Sequence, residues 1–404
     1  MPLKLGRLER FYRGSGGQTP NVLHYADYRF ADVETNLANG SVEIARCRVW
    51  LFHLPHGALV AGLTLDFSAE LTGTIGLLED SYYSTLTIAG SSLLEQCRER
   101  RPDLEPILAD ACLASHTHQL LFLGKNSNGL LPQRRLPFAE KRHQDILQRL
   151  VYRADLPYRS EHSRMQFPAE PNRRPGSMVA VSPYVSVILG QQDYIENGML
   201  LSAVQAIGSA HLVSRIRADA YEALDTLRRQ ESTDVPLSTR RRRLARLSDR
   251  LSRLELDLSF GAEAYENLGS LVPSLRLTDY HRVIFQALEI PIETTTTGKM
   301  LERLSKAIEA ASSSVKFAER RRDDHRRLKW SVAAGFISVV AITLGIAFGF
   351  FGSSASEVNP RSSLFNWDEY RGLYLFIAAV ILVGVAVFVA TWLLTRRSER
   401  ELDD

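Results

Sequence analysis

Two stretches decide how this chain is read: residues 330–351, WSVAAGFISVVAITLGIAFGFF, and residues 373–394, LYLFIAAVILVGVAVFVATWLL. Each is 22 residues long and contains no Asp, Glu, Lys or Arg. An α-helix rises about 1.5 Å per residue, so either run reaches across a hydrocarbon core of about 30 Å. Core helices of water-soluble proteins seldom stay uncharged for so long, because one of their faces usually meets solvent. The pair therefore predicts a C-terminal hairpin of two transmembrane helices.

The flanking charges orient that hairpin. Arg320, Arg321, Arg322, Arg326, Arg327 and Lys329 precede the first run and Arg396, Arg397 and Arg400 follow the second, whereas only Arg361 and Arg371 lie between them. Basic residues near span ends are retained in the cytoplasm, so both chain ends are expected inside and the 352–372 loop outside. Trp330, Trp367, Tyr370, Tyr374 and Trp392 stand where interfacial aromatics belong. Residues 1–20 carry Lys4, Arg7, Arg10 and Arg13 without an apolar segment, so no signal peptide is expected. A multi-pass protein of a bacterial-type inner membrane follows, with membrane lipid as a partner. Three scattered cysteines, Cys47, Cys97 and Cys112, fit a reducing compartment. A net charge of +3 is too weak to imply a nucleic-acid partner.

Ahead of the runs, the patterning is first mixed and then helical, which predicts an α+β cytoplasmic domain followed by long antiparallel and stalk helices. Residues 42–52 and 58–67 are strand-like and flank a Pro55-His56-Gly57 turn, which reads as a hairpin. Further strands are expected at 119–123 and 178–189, and helices at 91–114 and 138–152. Pro157, Pro168, Pro171 and Pro175 make 155–176 an exposed, flexible loop within a 1–190 domain. The 191–296 region is expected to be helical, with helices near 194–229 and 239–268. Leu244, Leu247, Leu251, Leu254 and Leu258 repeat at spacings of three and four, as do Leu301, Leu304, Ile308, Ala311 and Val315. Such repeats make coiled-coil-like seams. Neither Pro nor Gly occurs from Lys299 to Ala334, so a stalk helix at 297–329 should continue into the span at 330–351. The second span is placed at 373–395 and a cytoplasmic tail at 396–404.

This arrangement resembles the CorA family of divalent-cation channels, from about residue 42 to residue 400. The resemblance implies a homopentamer whose stalk and first span line a central pore. It is a likeness of arrangement, since the family's Gly-Met-Asn filter at the outer end of the first span is replaced by Gly352-Ser353-Ser354. Gly198-Met199 is followed by Leu200 far upstream and reads as chance. The family's acidic helix tips are also missing: Arg228, Arg229, Arg240, Arg241, Arg242, Arg243 and Arg246 border the corresponding turn. These departures argue against magnesium selectivity.

Candidate pore-lining residues are Ser331, Ser338, Thr343, Gly345, Gly349, Gly352 and Ser353, because small and hydroxyl-bearing side chains can hydrate an ion. Close helix packing through Gly345-x-x-x-Gly349 explains the same residues without a pore. In an oligomer Glu357, Asp368 and Glu369 would form carboxylate rings at the outer mouth. Arg240, Arg241, Arg242 and Arg243 are candidates for a small anionic ligand, since guanidinium forks pair with phosphate. His116-x-His118 and His53-x-x-His56 lack a third ligand at metal spacing, so no metal site is expected. Gly14-Ser15-Gly16-Gly17 lacks the Lys of a phosphate loop. Neither catalytic residues nor a cofactor can be assigned. Two functions are expected: an oligomeric channel or transporter gated through its cytoplasmic domain, or a membrane-anchored receptor or effector in stress or anti-phage defence.

Overall fold

The computed structural model describes residues 20–29, 33–34, 42–55, 57–83, 87–88, 116–124, 141–154, 164–174, 176–231, 236–271, 274–352, 367–368 and 371–400, with isolated residues between them. By packing, the chain divides into one unit of Met1–Asp234 with Arg242–Ile308 and another of Val235–Arg241 with Glu309–Asp404.

In the first unit, β1 (Asn21–Arg29), β2 (Val33–Glu34), β3 (Val42–His53) and β4 (Leu59–Ala69) precede helix α1 (Leu71–Tyr82) and the short β5 (Thr87–Ile88). The order β1-β3-β4 makes an antiparallel sheet, and β2 pairs with β5. The hairpin expected from the Pro55-His56-Gly57 turn is present, closed by Gly57 N–H donating to the Leu54 carbonyl at 2.9 Å. The second half of β3 is buried on both faces: Trp50 and Phe52 enter one apolar cluster, and Cys47, Val49 and Leu51 another that includes Leu77 of α1. A strand covered on two sides reads as a continuous apolar run, which Val49-Trp50-Leu51-Phe52 is. Burial pushes the Cys47 thiol up to about 12, with Asp27 adding to the rise.

Strand β6 (Gln119–Leu123), helix α2 (Lys141–Tyr152), and strands β7 (Met178–Val181) and β8 (Val185–Leu189) follow. Their sheet has the order β6-β8-β7, with β6 parallel and β7 antiparallel to β8. Every residue of β7 and β8 is buried. The predicted 178–189 strand is thus two strands, split at Ser182, whose hydroxyl accepts the Tyr184 and Val185 amides at 3.2 and 3.1 Å. The 91–114 helix expected from periodicity lies largely outside the described residues.

The loop expected to be flexible differs in its second half. Asn172 is buried and donates to the Pro168 and Val179 carbonyls at 2.6 and 2.8 Å while accepting the Val179 amide at 2.9 Å. The Glu170 amide donates to the Asp279 carboxylate at 3.0 Å. Side chains and a distant helix supply the hydrogen bonds that a proline-rich segment cannot make within itself.

Helices α3 (Asp193–Glu231), α4 (Leu237–Leu271), α5 (Leu275–Ala287), α6 (Ile290–Gly352) and α7 (Arg371–Arg400) complete the chain. The structure is therefore α+β with long helices. Among the described residues one helix is long and apolar enough to cross a membrane, and it is not one of the two expected hairpin helices. It is Asp193–Arg229 of α3, and 72% of its apolar window is buried inside its own unit, as in a core helix. Met199, Leu201, Val204, Ala206 and Ala210 join Tyr280, Ile284 and Phe285 of α5 in one apolar cluster. Gly208 lets Leu54 approach, since a Cβ there would collide with its side chain. Gly198-Met199 accordingly serves packing: Gly198 lies against Leu277 and Met199 is fully buried. The expected runs fall in α6 and α7, where residues 374–390 form a shorter apolar stretch.

Two substitutions test this frame by chemical denaturation. Gly190 has φ +70°, and a Cβ would strike the Gly176 carbonyl oxygen, so Gly190→Ala is expected to destabilise the first unit by about 2 kcal/mol or more. Asn172→Ala leaves the Val179 amide and two carbonyls unpaired, and a comparable loss of about 2 kcal/mol is expected.

Candidate functional site

Helix α6 carries most of the candidate residues. Its 63 residues span about 95 Å. It starts at Ile290, seven residues before the expected stalk (297 − 290), because Glu289 turns the chain with φ +56° and Pro291 is tolerated in a first helical turn. Leu301, Leu304, Ile308 and Val315 are buried, as are Leu244, Leu247, Leu251, Leu254 and Leu258 of α4, so both seams read from the sequence face inward. Leu258 lies against Gly298, and Arg241 Nη1 donates to Glu319 Oε2 at 3.5 Å. Higher numbers on α6 thus meet lower numbers on α4, and the two helices run antiparallel. Arg250 clamps α4 to α3 by donating to Asp219 at 2.9 Å and Glu222 at 2.6 Å. Arg217 of α3 pairs with Glu293 in the first turn of α6.

Beyond Val315 the character of α6 changes. Trp330 is 77% exposed and Ile337 66%, and on α7 Leu382 is 70% exposed. Ser331 and Ser338 are exposed, and their hydroxyls donate back to the Leu328 and Ala334 carbonyls at 2.9 Å each. At about 100° per residue, Ser331, Ser338, Gly345, Gly349 and Gly352 fall on one stripe of the helix, and Thr343 lies about 120° away from it. Gly345 and Gly349 have open space where a Cβ would stand. The side-chain placement of Thr343, the exposure of Gly352, and all of Ser353, Glu357 and Glu369 lie outside what is described. Asp368 is exposed. Arg241, Arg242 and Arg243 are exposed and Arg240 half-buried, in the first two turns of α4.

The paired histidines do not act together. They lie just ahead of β6 rather than on a strand face, and their rings have different partners. His116 lies edge-on to His211 of α3, centroids 6.4 Å apart. Burial lowers both below the usual histidine value; Glu293 pulls His116 back up, whereas His116 and Arg215 lower His211 further. His118 instead enters a buried chain. Its Nδ1 faces the Pro183 carbonyl at 3.3 Å, which can only accept, so Nδ1 carries the proton. Nε2 then accepts from Ser186 Oγ at 2.8 Å, and Ser186 Oγ accepts from the Tyr280 hydroxyl at 3.3 Å. Ser186 and Tyr280 are fully buried and His118 half-buried, and their hydrogen bonds tie the start of β6 to β8 and α5. A serine inside the otherwise apolar Val185–Leu189 strand was the legible sign of it. Among the described residues, no three His, Cys, Asp or Glu side chains gather as a metal site.

No protein-family model matches this sequence, and no curated protein matches it. Among solved structures, that of the full-length CmaX protein is similar over 58% of this chain and 72% of that one, with 17% identity and a TM-score of 0.29. A likeness this low carries no argument about architecture or activity.

Burial pushes His118 down to about 4 from the usual 6.5. The folded chain then stays neutral there while the unfolded chain takes up a proton, so stability is full above pH 6.5 and falls as the pH drops toward 4. Between pH 7 and pH 5 this one group is expected to remove about 2 kcal/mol. His118→Asn should flatten that part of the acid limb while lowering stability at pH 7 by about 1–2 kcal/mol, measured by urea titrations at both pH values.

Proposed function

We propose that this chain is a subunit of an oligomeric channel or transporter of the inner (plasma) membrane, in which residues 330–351 and 373–395 cross the bilayer and both termini are cytoplasmic. The observation that carries the reading is the unbroken helix from Ile290 to Gly352. Its early turns are packed through Leu301, Leu304 and Ile308, and its end, from Trp330 onward, is uncharged with Trp330, Ile337 and Ile342 turned outward. Apolar side chains left exposed along two uncharged runs favour hydrocarbon over water by roughly 25 cal/mol per Å². A continuous helix shared by the two units would carry a change in the first unit to the membrane.

Several copies are favoured by the open space beside Gly345 and Gly349, which approach none of the described residues. A Gly-x-x-x-Gly spacing lets a second helix come close. A ring of such subunits, five in the CorA-like arrangement, would bring Ser331, Ser338, Gly345 and Gly349 of each copy toward a common axis. Glu357, Asp368 and Glu369 would then ring the outer mouth and draw cations.

A second reading is a membrane-anchored receptor or effector. It is favoured by Gly352-Ser353-Ser354 at the place of the cation filter and by the exposed arginines at the start of α4. In that case the chain oligomerises and stays inserted without conducting.

The test is reconstitution. After membrane extraction the full chain is expected to resist alkaline carbonate, to run as a closed oligomer in native mass spectrometry, and to pass cations in liposome flux assays. Gly345→Leu with Gly349→Leu should reduce the oligomer at least about tenfold without moving the unfolding midpoint of the first unit. A carbonate-soluble monomer ends the reading, and an inserted oligomer without flux selects the receptor alternative.

A further inference from the structure

The first two turns of α4 contain a charge arrangement that the helix itself disfavours. Arg240, Arg241, Arg242 and Arg243 follow one another near its N-terminus, and no acidic residue stands in the first turn. The helix dipole places partial positive charge at that end, so the arginines are repelled by it as well as by each other. Only Arg241 has an ion-pair partner, Glu319; among the described residues Arg240, Arg242 and Arg243 have none. Cationic side chains in an unfavourable field, with no counter-charge on Arg240, Arg242 or Arg243 among the described residues, are suited to an outside anion.

The Arg241–Glu319 contact says where that anion is. Glu319 is eleven residues before Trp330 (330 − 319), or about 16 Å along α6 from the start of the uncharged run. A headgroup layer is about 5–7 Å deep, which leaves Arg241 about 10 Å from it, close to one Debye length in physiological salt. Since α4 and α6 are antiparallel, the residues before Arg241 lie nearer still. Side chains lean toward the N-terminus of their own helix, and for α4 that direction is toward the bilayer. On α6 the intervening segment adds Arg320, Arg321, Arg322, Arg326, Arg327 and Lys329 against only Asp323 and Asp324.

We infer that the N-terminal turns of α4, together with the basic segment 320–329 of α6, form a collar that binds anionic phospholipid headgroups on the cytoplasmic leaflet. The inference rests on the proposed membrane insertion of residues 330–351. Phosphate oxygens accept the forked guanidinium donors, and a plane of negative charge offsets both the mutual repulsion and the dipole. The same chemistry would fit free phosphate, but placement beside the membrane selects the lipid.

The test uses the full chain in nanodiscs of phosphatidylcholine alone or with about 30% phosphatidylglycerol, at about 50 and about 500 mM salt. Hydrogen exchange of the 237–243 amides is the readout. Exchange is expected to slow about tenfold with phosphatidylglycerol at low salt, to recover at high salt, and to lose its lipid dependence in Arg240→Gln/Arg242→Gln/Arg243→Gln, which spares the Arg241–Glu319 tie. Equal exchange in both lipids, with the chain inserted, overturns the collar and leaves the membrane reading intact. Protection by inorganic phosphate in pure phosphatidylcholine discs overturns it in favour of a soluble anion. A chain that does not insert overturns both.

Discussion

One long helix, α6, is packed along its early turns and exposed along its end. In α6 the residues from Leu301 to Val315 bury an apolar seam, whereas Trp330, Ile337 and Ile342 turn theirs outward. A helix satisfies its own backbone hydrogen bonds wherever it goes, so it alone among local structures can pass from packed protein to a lipid-like environment without interruption. What differs between the two halves is therefore only what the side chains meet.

The first unit contains the start of that helix, Ile290 to Ile308. Two three-stranded sheets and α5 wrap α3, whose apolar length would otherwise pass for a membrane span. From this core, contacts lead outward: Arg217 reaches Glu293 at the start of α6, and Arg250 holds α4 against α3. Polar groups inside the unit are placed as ties. Asn172 fastens the proline-rich segment to β7, and the Tyr280–Ser186–His118 chain joins a helix to two strands. His116 lies edge-on to His211, and Glu293 in the first turn of α6 offsets part of the lowering that burial imposes on His116.

Legibility followed periodicity. The α4 and α6 seams, the β3–β4 hairpin and the apolar strands of the second sheet each obey a simple period of 3.5 or 2, and each could be read in advance. α5 could not, because Asp279 and His281 stand buried in the middle of its apolar face. Nor could β1 be read, whose pairing with β3 crosses residues with no distinct pattern. The proline-rich segment misled for a related reason. Its composition describes what it cannot do within itself, and its order comes from Asn172 and from Asp279, which lies 109 positions away.

Local chemistry in the sequence by itself determined the helices, their seams, the hairpin turn and the two uncharged runs, because each depends on neighbours within a few residues. Only the tertiary structure decided which apolar helix is a core element. The stretches 197–214 of α3 and 330–351 of α6 both lack Asp, Glu, Lys and Arg, and they differ in that the first is mostly buried while Trp330, Ile337 and Ile342 of the second are exposed. It also decided that Arg241 meets Glu319, which turns an arginine-rich helix start into a neighbour of the basic segment at 320–329. Burial and long-range contact are properties of the packed chain, and no window of sequence contains them.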